Sequence, residues 1–361
     1  MEKVWRLALT LFFPCVVGGV FGQSDTAVTE EDFSMYDNFD FADEGAKRYC
    51  TPKVFDLSPA KLISFGYDWQ GPFAVEYGDL NSPDSSWMAG KGQFKSASGI
   101  RFSANIPVIS RTHVVWQMGV NYARTAFRGA GDGYRVNALD SSVVNNGLTT
   151  AGFNTTVFKP FDAEKFLIGQ ASADLNGDYY LDHITPLKYT RYSAALIFGK
   201  KVHDRKMIGF GISRTYRVGE INYIPVMLLN WTAPSRKWGV EMLAPARVHV
   251  RKTLSARNIL MWGYELEGNS YRVLSHTSGP IHNFELRRSE LRIRAVWETS
   301  MYSFLWMSIQ LGYRYGYSFN LDKFPNDREF FRGFTGNQPY AQENVLGGTW
   351  YFQVSVNLVS P

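Results

Sequence analysis

The chain has 361 residues, 38 basic against 33 acidic, and 16% of them are aromatic. Mean hydropathy is −0.21 and there is no run of 18 apolar residues, so a helical membrane protein is excluded. Many aromatics, 32 glycines and near-neutral hydropathy suit an all-β chain closed into one antiparallel transmembrane β-barrel, with a large soluble β-sandwich as the competing class.

Residues 1–22 read as a signal peptide. Lys3 and Arg6 give the charged start, Leu7 to Val17 the apolar stretch, and Val20-Phe21-Gly22 a cleavage site before Gln23. Phe-Phe-Pro before Cys15 is not a lipoprotein pattern, and after cleavage Cys50 is the only cysteine, which excludes an internal disulfide. Residues 23–58 form an acidic periplasmic segment: Asp25 to Glu44 carries eight acidic side chains and no basic one. The remainder of the chain is basic, 36 against 24 once the signal and this acidic run are set aside, a net +12. Such a body attracts anionic headgroups or anionic solutes. No nucleic-acid-binding motif is present.

From about residue 61 apolar and polar side chains alternate with a period of two, and residues 59–361 read as the barrel. Ile100, Phe102, Ala104 and Ile106 share one face against Arg101, Ser103 and Asn105. Trp116, Met118, Val120 and Tyr122 share the next. The longest case places Leu305, Met307, Ile309, Leu311, Tyr313, Tyr315, Tyr317 and Phe319 opposite Ser308, Gln310, Gly312, Arg314, Gly316 and Ser318. Its tyrosine end suits a membrane interface, and its small polar face suits a watered lumen. Segments near 61–70, 94–106, 112–124, 165–177, 190–200, 207–218, 222–232, 237–251, 258–273, 284–298, 303–320 and 348–359 give about 12 strands. The expected outward loops are 78–93, 125–164, 201–206, 233–236, 274–283 and 321–347. The expected inward turns are 107–111, 178–189, 219–221, 252–257 and 299–302. The last strand, Trp350 to Leu358, resembles the closing strand bound by the barrel-assembly machinery of Gram-negative bacteria, although Val359-Ser360-Pro361 replaces a terminal aromatic. Lipid of the cell outer membrane and that machinery are therefore the expected partners.

The stretch Lys237-Trp-Gly-Val-Glu-Met-Leu-Ala-Pro-Ala-Arg-Val248, then Gly263-Tyr-Glu-Leu-Glu-Gly268 with Tyr271, then Leu286-Arg-Arg-Ser-Glu-Leu-Arg292, resembles an uncharacterised family of outer-membrane β-barrel proteins of unknown function. The resemblance spans roughly 60–359 and is sharpest over 221–320. It implies fold and location, and no activity.

Charge faces one way on three successive segments. Arg247, His249 and Arg251 lie opposite Val248 and Val250. Glu265 and Glu267 lie opposite Tyr264 and Leu266. Arg292, Arg294 and Glu298 lie opposite Leu291, Ile293 and Trp297. Paired in chain order, they put an acidic column between two basic ones. This lumen ladder either cancels charge and stiffens the wall or forms a selectivity surface for a small polar solute. Asp174-Leu-Asn-Gly-Asp178 begins like a calcium loop but lacks its turn glycine, with Tyr179 in that place, so it reads as a strand end and a turn. His276-Thr277-Ser278 has the spacing of outer-membrane phospholipases but runs into Gly279-Pro280, and no third group orients the histidine. No zinc spacing, phosphate-binding glycine loop or thiol site occurs, so no metal or cofactor is expected. A narrow channel for small polar or anionic solutes leads. A non-conducting structural, adhesion or assembly barrel is the alternative, and an outer-membrane lipase is third.

Overall fold

The computed structural model describes residues 48–79, 89–129, 138–179, 187–216, 222–275, 282–323 and 340–359. The expected signal and acidic run lie outside the described residues, as do His276, Thr277 and Ser278.

The barrel rises and falls through β1 (Lys61–Gln70), β2 (Phe73–Tyr77), β3 (Gly90–Arg111), β4 (Val114–Gly129), helix α1 (Ala138–Asn146), β5 (Leu148–Pro160), β6 (Lys165–Gly177) and β7 (Arg191–His203). It continues through β8 (Lys206–Thr215), β9 (Asn222–Thr232), β10 (Trp238–Ala244), β11 (Arg247–Ser255), β12 (Asn258–Ser275) and β13 (His282–Ser300). It ends with β14 (Leu305–Lys323), β15 (Asn344–Leu346) and β16 (Thr349–Val359). β1 pairs with β3 on one side and β16 on the other, which closes the sheet. β2 prolongs β1 beyond the Gly71-Pro72 break, where proline offers no N–H, and β15 prolongs β16 across Gly347-Gly348. The closed circuit is a 14-strand antiparallel barrel.

Two strands thus separate the fold from the count read in the sequence. Residues 148–160 form β5, where an outward loop over 125–164 was expected. Residues 237–251 hold two strands that turn at Pro245-Ala246. The two omissions cancel in parity but reverse the connections between them. Connections 201–206 and 233–236 are short turns on the same side as both termini, whereas 178–189 and 219–221 lie on the loop side. The true turns, 112–113, 161–164, 204–205, 233–237, 256–257 and 301–304, are all short. Opposite them lie 78–89, 130–147, 178–190 and 324–343, together with the shorter 216–221, 245–246 and 276–281. Short periplasmic turns and long outer loops mark the orientation.

The outer surface identifies the surrounding medium. Phe65, Phe102, Leu196, Phe210, Ile293 and Leu311 point outward and are exposed. Below them Trp238 stacks on Trp262 at 5.9 Å, with Trp297 nearby. Above them Tyr313 meets Trp350 edge-on at 5.5 Å, with Tyr315 and Tyr317 beyond. An apolar band between two aromatic girdles on a closed barrel is a membrane-spanning surface, since closure leaves no backbone group unpaired in lipid. The chain is an outer-membrane β-barrel.

Strand lengths are uneven, and this shapes the mouth. β3, β12, β13 and β14 run 18 to 22 residues, whereas β7 to β11 run 7 to 13. Above the short wall β12 crosses to β6 through a parallel bridge, Arg272 to Gly177, reinforced by Asp178 N–H donating to the Arg272 carbonyl at 3.1 Å. The tall strands so close a second, narrower ring at the loop end. Its interior is an apolar core of Phe73, Phe94, Phe127, Phe284, Leu286, Phe319 and Leu321, into which α1 inserts Leu139 and Val143.

Candidate functional site

The three strands of the expected ladder, β11, β12 and β13, pair in chain order. Arg247 stands opposite Glu265 and Glu265 opposite Arg292, while His249 and Arg294 flank Gly263. His249, Arg251, Arg292 and Glu298 are buried in the barrel interior. Arg294 pairs with Glu265 at 2.5 Å and donates to His249 Nε2 at 3.2 Å and Gln310 Oε1 at 3.0 Å. Arg292 pairs with Glu290 at 2.6 Å, Asp68 at 2.9 Å and Glu267 at 3.1 Å. Glu298 takes Lys61 at 2.6 Å, and Arg251 takes Glu241 at 3.1 Å. Arg247 alone of the eight has no side-chain ion pair or hydrogen bond among the described residues.

Sequence reasoning missed half of this network. Glu290 lies in the middle of three buried guanidiniums, with Arg288 at 3.0 Å and Arg314 at 3.6 Å besides Arg292. Arg101 joins from β3, 2.6 Å from Glu267 and 3.6 Å from Asp68. Arg314 also lies over the Phe73 ring at 4.3 Å and Arg288 over Phe127 at 5.4 Å, so the charged layer sits directly beneath the apolar core. The signal was present: Arg288 and Glu290 continue the inward parity of Arg292 and Arg294, and Asp68 stands between outward Tyr67 and Trp69.

Below the charged layer the lumen holds polar cavities. One, about 590 Å³, has a hydroxyl and amide wall that includes Thr156, Ser172, Ser193 and Ser213. Arg101, Glu265, Glu267 and Arg294 face that wall. A second, about 470 Å³, lies toward the periplasm between Lys61, Asn230, Glu241, Arg247 and His249. Gln170, Arg294 and Gln310 line both.

The periplasmic end carries a strap. Residues 50–58 cross beneath β5 to β10, tied at each turn: Cys50 N–H donates to Asp162 O at 2.9 Å and Phe55 N–H to Asp204 O at 3.0 Å. Asp56 takes two hydrogen bonds from Arg236, at 2.6 and 2.8 Å, and Ser58 Oγ donates to Glu241 at 2.5 Å. Cys50 and Val54 pack on Phe158, Phe166, Ile197 and Met207. Burial pushes the Cys50 thiol up, and the hydrogen bond from Arg236 holds the Asp56 carboxyl below the usual carboxylate range.

The chain is similar in shape to several solved outer-membrane proteins. An outer-membrane channel from Pseudomonas putida F1 aligns over 86% of this chain and 99% of its own, at 9% identity and a TM-score of 0.36. A FadL homologue from Pseudomonas aeruginosa covers 83% and 90%, at 10% identity and 0.34. The translocator domain of the autotransporter NalP from Neisseria meningitidis covers 84% and 90%, at 8% identity and 0.31. No family model and no curated protein matches the chain. Likenesses of this order say nothing of what the lumen carries.

Proposed function

We propose that this barrel is an outer-membrane channel for small polar solutes, with a mild preference for anions. The observation that carries this reading is the pair of lumenal cavities, about 590 and 470 Å³, whose linings share Gln170, Arg294 and Gln310. A hydroxyl wall facing guanidiniums and carboxylates offers hydrogen bonds to a hydrated solute at every level. Most ladder charges cancel in pairs, so selectivity falls to the least compensated cation, Arg247, and to Arg294 between the cavities.

Single-channel recording of the refolded chain Gln23 to Pro361 in a planar bilayer tests this. Steady openings with anion preference are expected, and Arg247→Gln and Arg294→Gln should each lower that preference without loss of the fold. A folded, inserted barrel that never conducts would sink the reading. That result would favour a second one, a non-conducting structural or adhesion barrel, which draws on the apolar core at the mouth and the strap beneath. A lipase has no described residue behind it.

A further inference from the structure

The apolar core blocks the barrel axis at the outer end, yet the larger cavity extends beyond the lumen proper. β11 accompanies β12 only as far as Glu265, with one more bond from Leu266 N–H to Ala246 O. β12 next finds a neighbour on that side at Arg272, where it meets β6. Between these points Glu267 to Tyr271 pair with β13 on one edge, and among the described residues no strand pairs with the other. β6 likewise loses β7 after Asp174 and gains β12 at Gly177. Among the described residues the wall therefore has a gap in its strand pairing, bounded by β12, the end of β6 and the tops of the short strands. The residues around it, Asn176, Arg191, Thr215, Gly268 and Asn269, line the same cavity as the lumenal Arg101 and Arg294.

We propose that this gap is a lateral portal, through which polar solute passes between the upper chamber and the aqueous layer at the cell surface. Height and chemistry both point that way. On the outside of the short wall the apolar face ends at Tyr192 and Ile212, and Arg214 stands above them, donating to the Tyr192 carbonyl. The portal thus opens above the hydrocarbon, and its polar rim suits a hydrated solute and excludes an apolar one. Asn176, 2% exposed, lines the chamber and has a side-chain oxygen without a hydrogen-bond partner among the described residues. Arg191 is held at the rim by Glu285 at 2.8 Å and by the Tyr216 ring.

The proposal rests on the chamber being a solute path, so the test separates the two. In a Cys50→Ser background, Ser172→Cys places one thiol inside the chamber, and a charged membrane-impermeant thiol reagent is added outside the cell. Labelling is expected, and Asn269→Trp at the rim should slow it about tenfold by filling the gap. Leu139→Asp, which loosens the apolar core on the axis, should leave the rate unchanged. The reverse pattern, slow only with an intact core and indifferent to Asn269→Trp, overturns the portal, as does a chamber thiol that is never labelled. To guard against a misfolded tryptophan variant, Asn269→Cys can instead be folded first and modified in place with a bulky thiol reagent during recording; an unaltered current overturns the portal. Labelling through the rim in a barrel that carries no current would overturn the channel and keep the portal.

Discussion

Glu290 shows what a buried charge requires at the scale of one residue. It is 2% exposed, and three guanidiniums surround it, so its charge is compensated several times over. Deleting one partner of a buried cluster leaves the others uncompensated and costs about 3–5 kcal/mol. Glu290→Gln should therefore lower the urea midpoint of the folded barrel far more than Glu265→Gln, whose site is partly open to the lumen. Equal midpoints would mean the charged layer carries little of the stability. Of the eight residues picked out by alternation, Arg247, Glu265 and Arg292 stand in one cross-strand row, whereas Arg251 and Glu298 find their partners, Glu241 and Lys61, on other strands. Asp68, Arg101 and Arg314 were missed because each has only uncharged neighbours on its own face; closure of the barrel brings Asp68 and Arg101 to Arg292 and Glu267, and Arg314 reaches Glu290 from the adjacent strand.

Elements differ in how plainly they announce themselves. β14 was legible because one face is apolar for its whole length. β5 was not: Leu148-Thr-Thr-Ala-Gly-Phe-Asn-Thr-Thr-Val is rich in the threonine, glycine and asparagine of loops, and its outward face is only weakly apolar. The β10–β11 turn is marked by Pro245 alone, without glycine or asparagine, and the alternation on either side runs through it as if one strand. The strap was invisible for another reason, since its contacts lie more than a hundred residues away. Its clasp on Arg236 gives a prediction. Asp56→Asn should speed maleimide labelling of Cys50 at pH 7, and an unchanged rate would mean the clasp holds nothing. Acid should act the same way. The folded-state pKa of Asp56 is depressed, so the clasp is fully present above the ordinary carboxylate value near 4 and is lost as pH falls through the lowered one. Hydrogen exchange at Cys50 to Leu57 should accordingly stay slow down to about pH 4 and quicken below it.

For the whole molecule, fold class, membrane setting and the parity of the ends were legible. The shape of the mouth was not, because it depends on how far each strand outlasts its neighbour. Sequence periodicity marks where a strand runs but not which partner lies beside its last turn, so the β6–β12 crossing had no local trace. The seam that closes the barrel has a kinetic consequence. β1 meets β16 in a register from Lys61 and Val359 to Gln70 and Tyr351, partners nearly the whole described chain apart. Joining ends separated by about 300 residues costs roughly 3 kcal/mol more than closing a ten-residue hairpin. Neighbouring hairpins must therefore zip first and the seam last, which makes closure the slow step of folding. A chain ending at Gly348, just before β16, should assemble its hairpins yet never gain the resistance to detergent unfolding that a closed barrel has. Survival of that resistance would show that β1 and β14 can meet without the last strand.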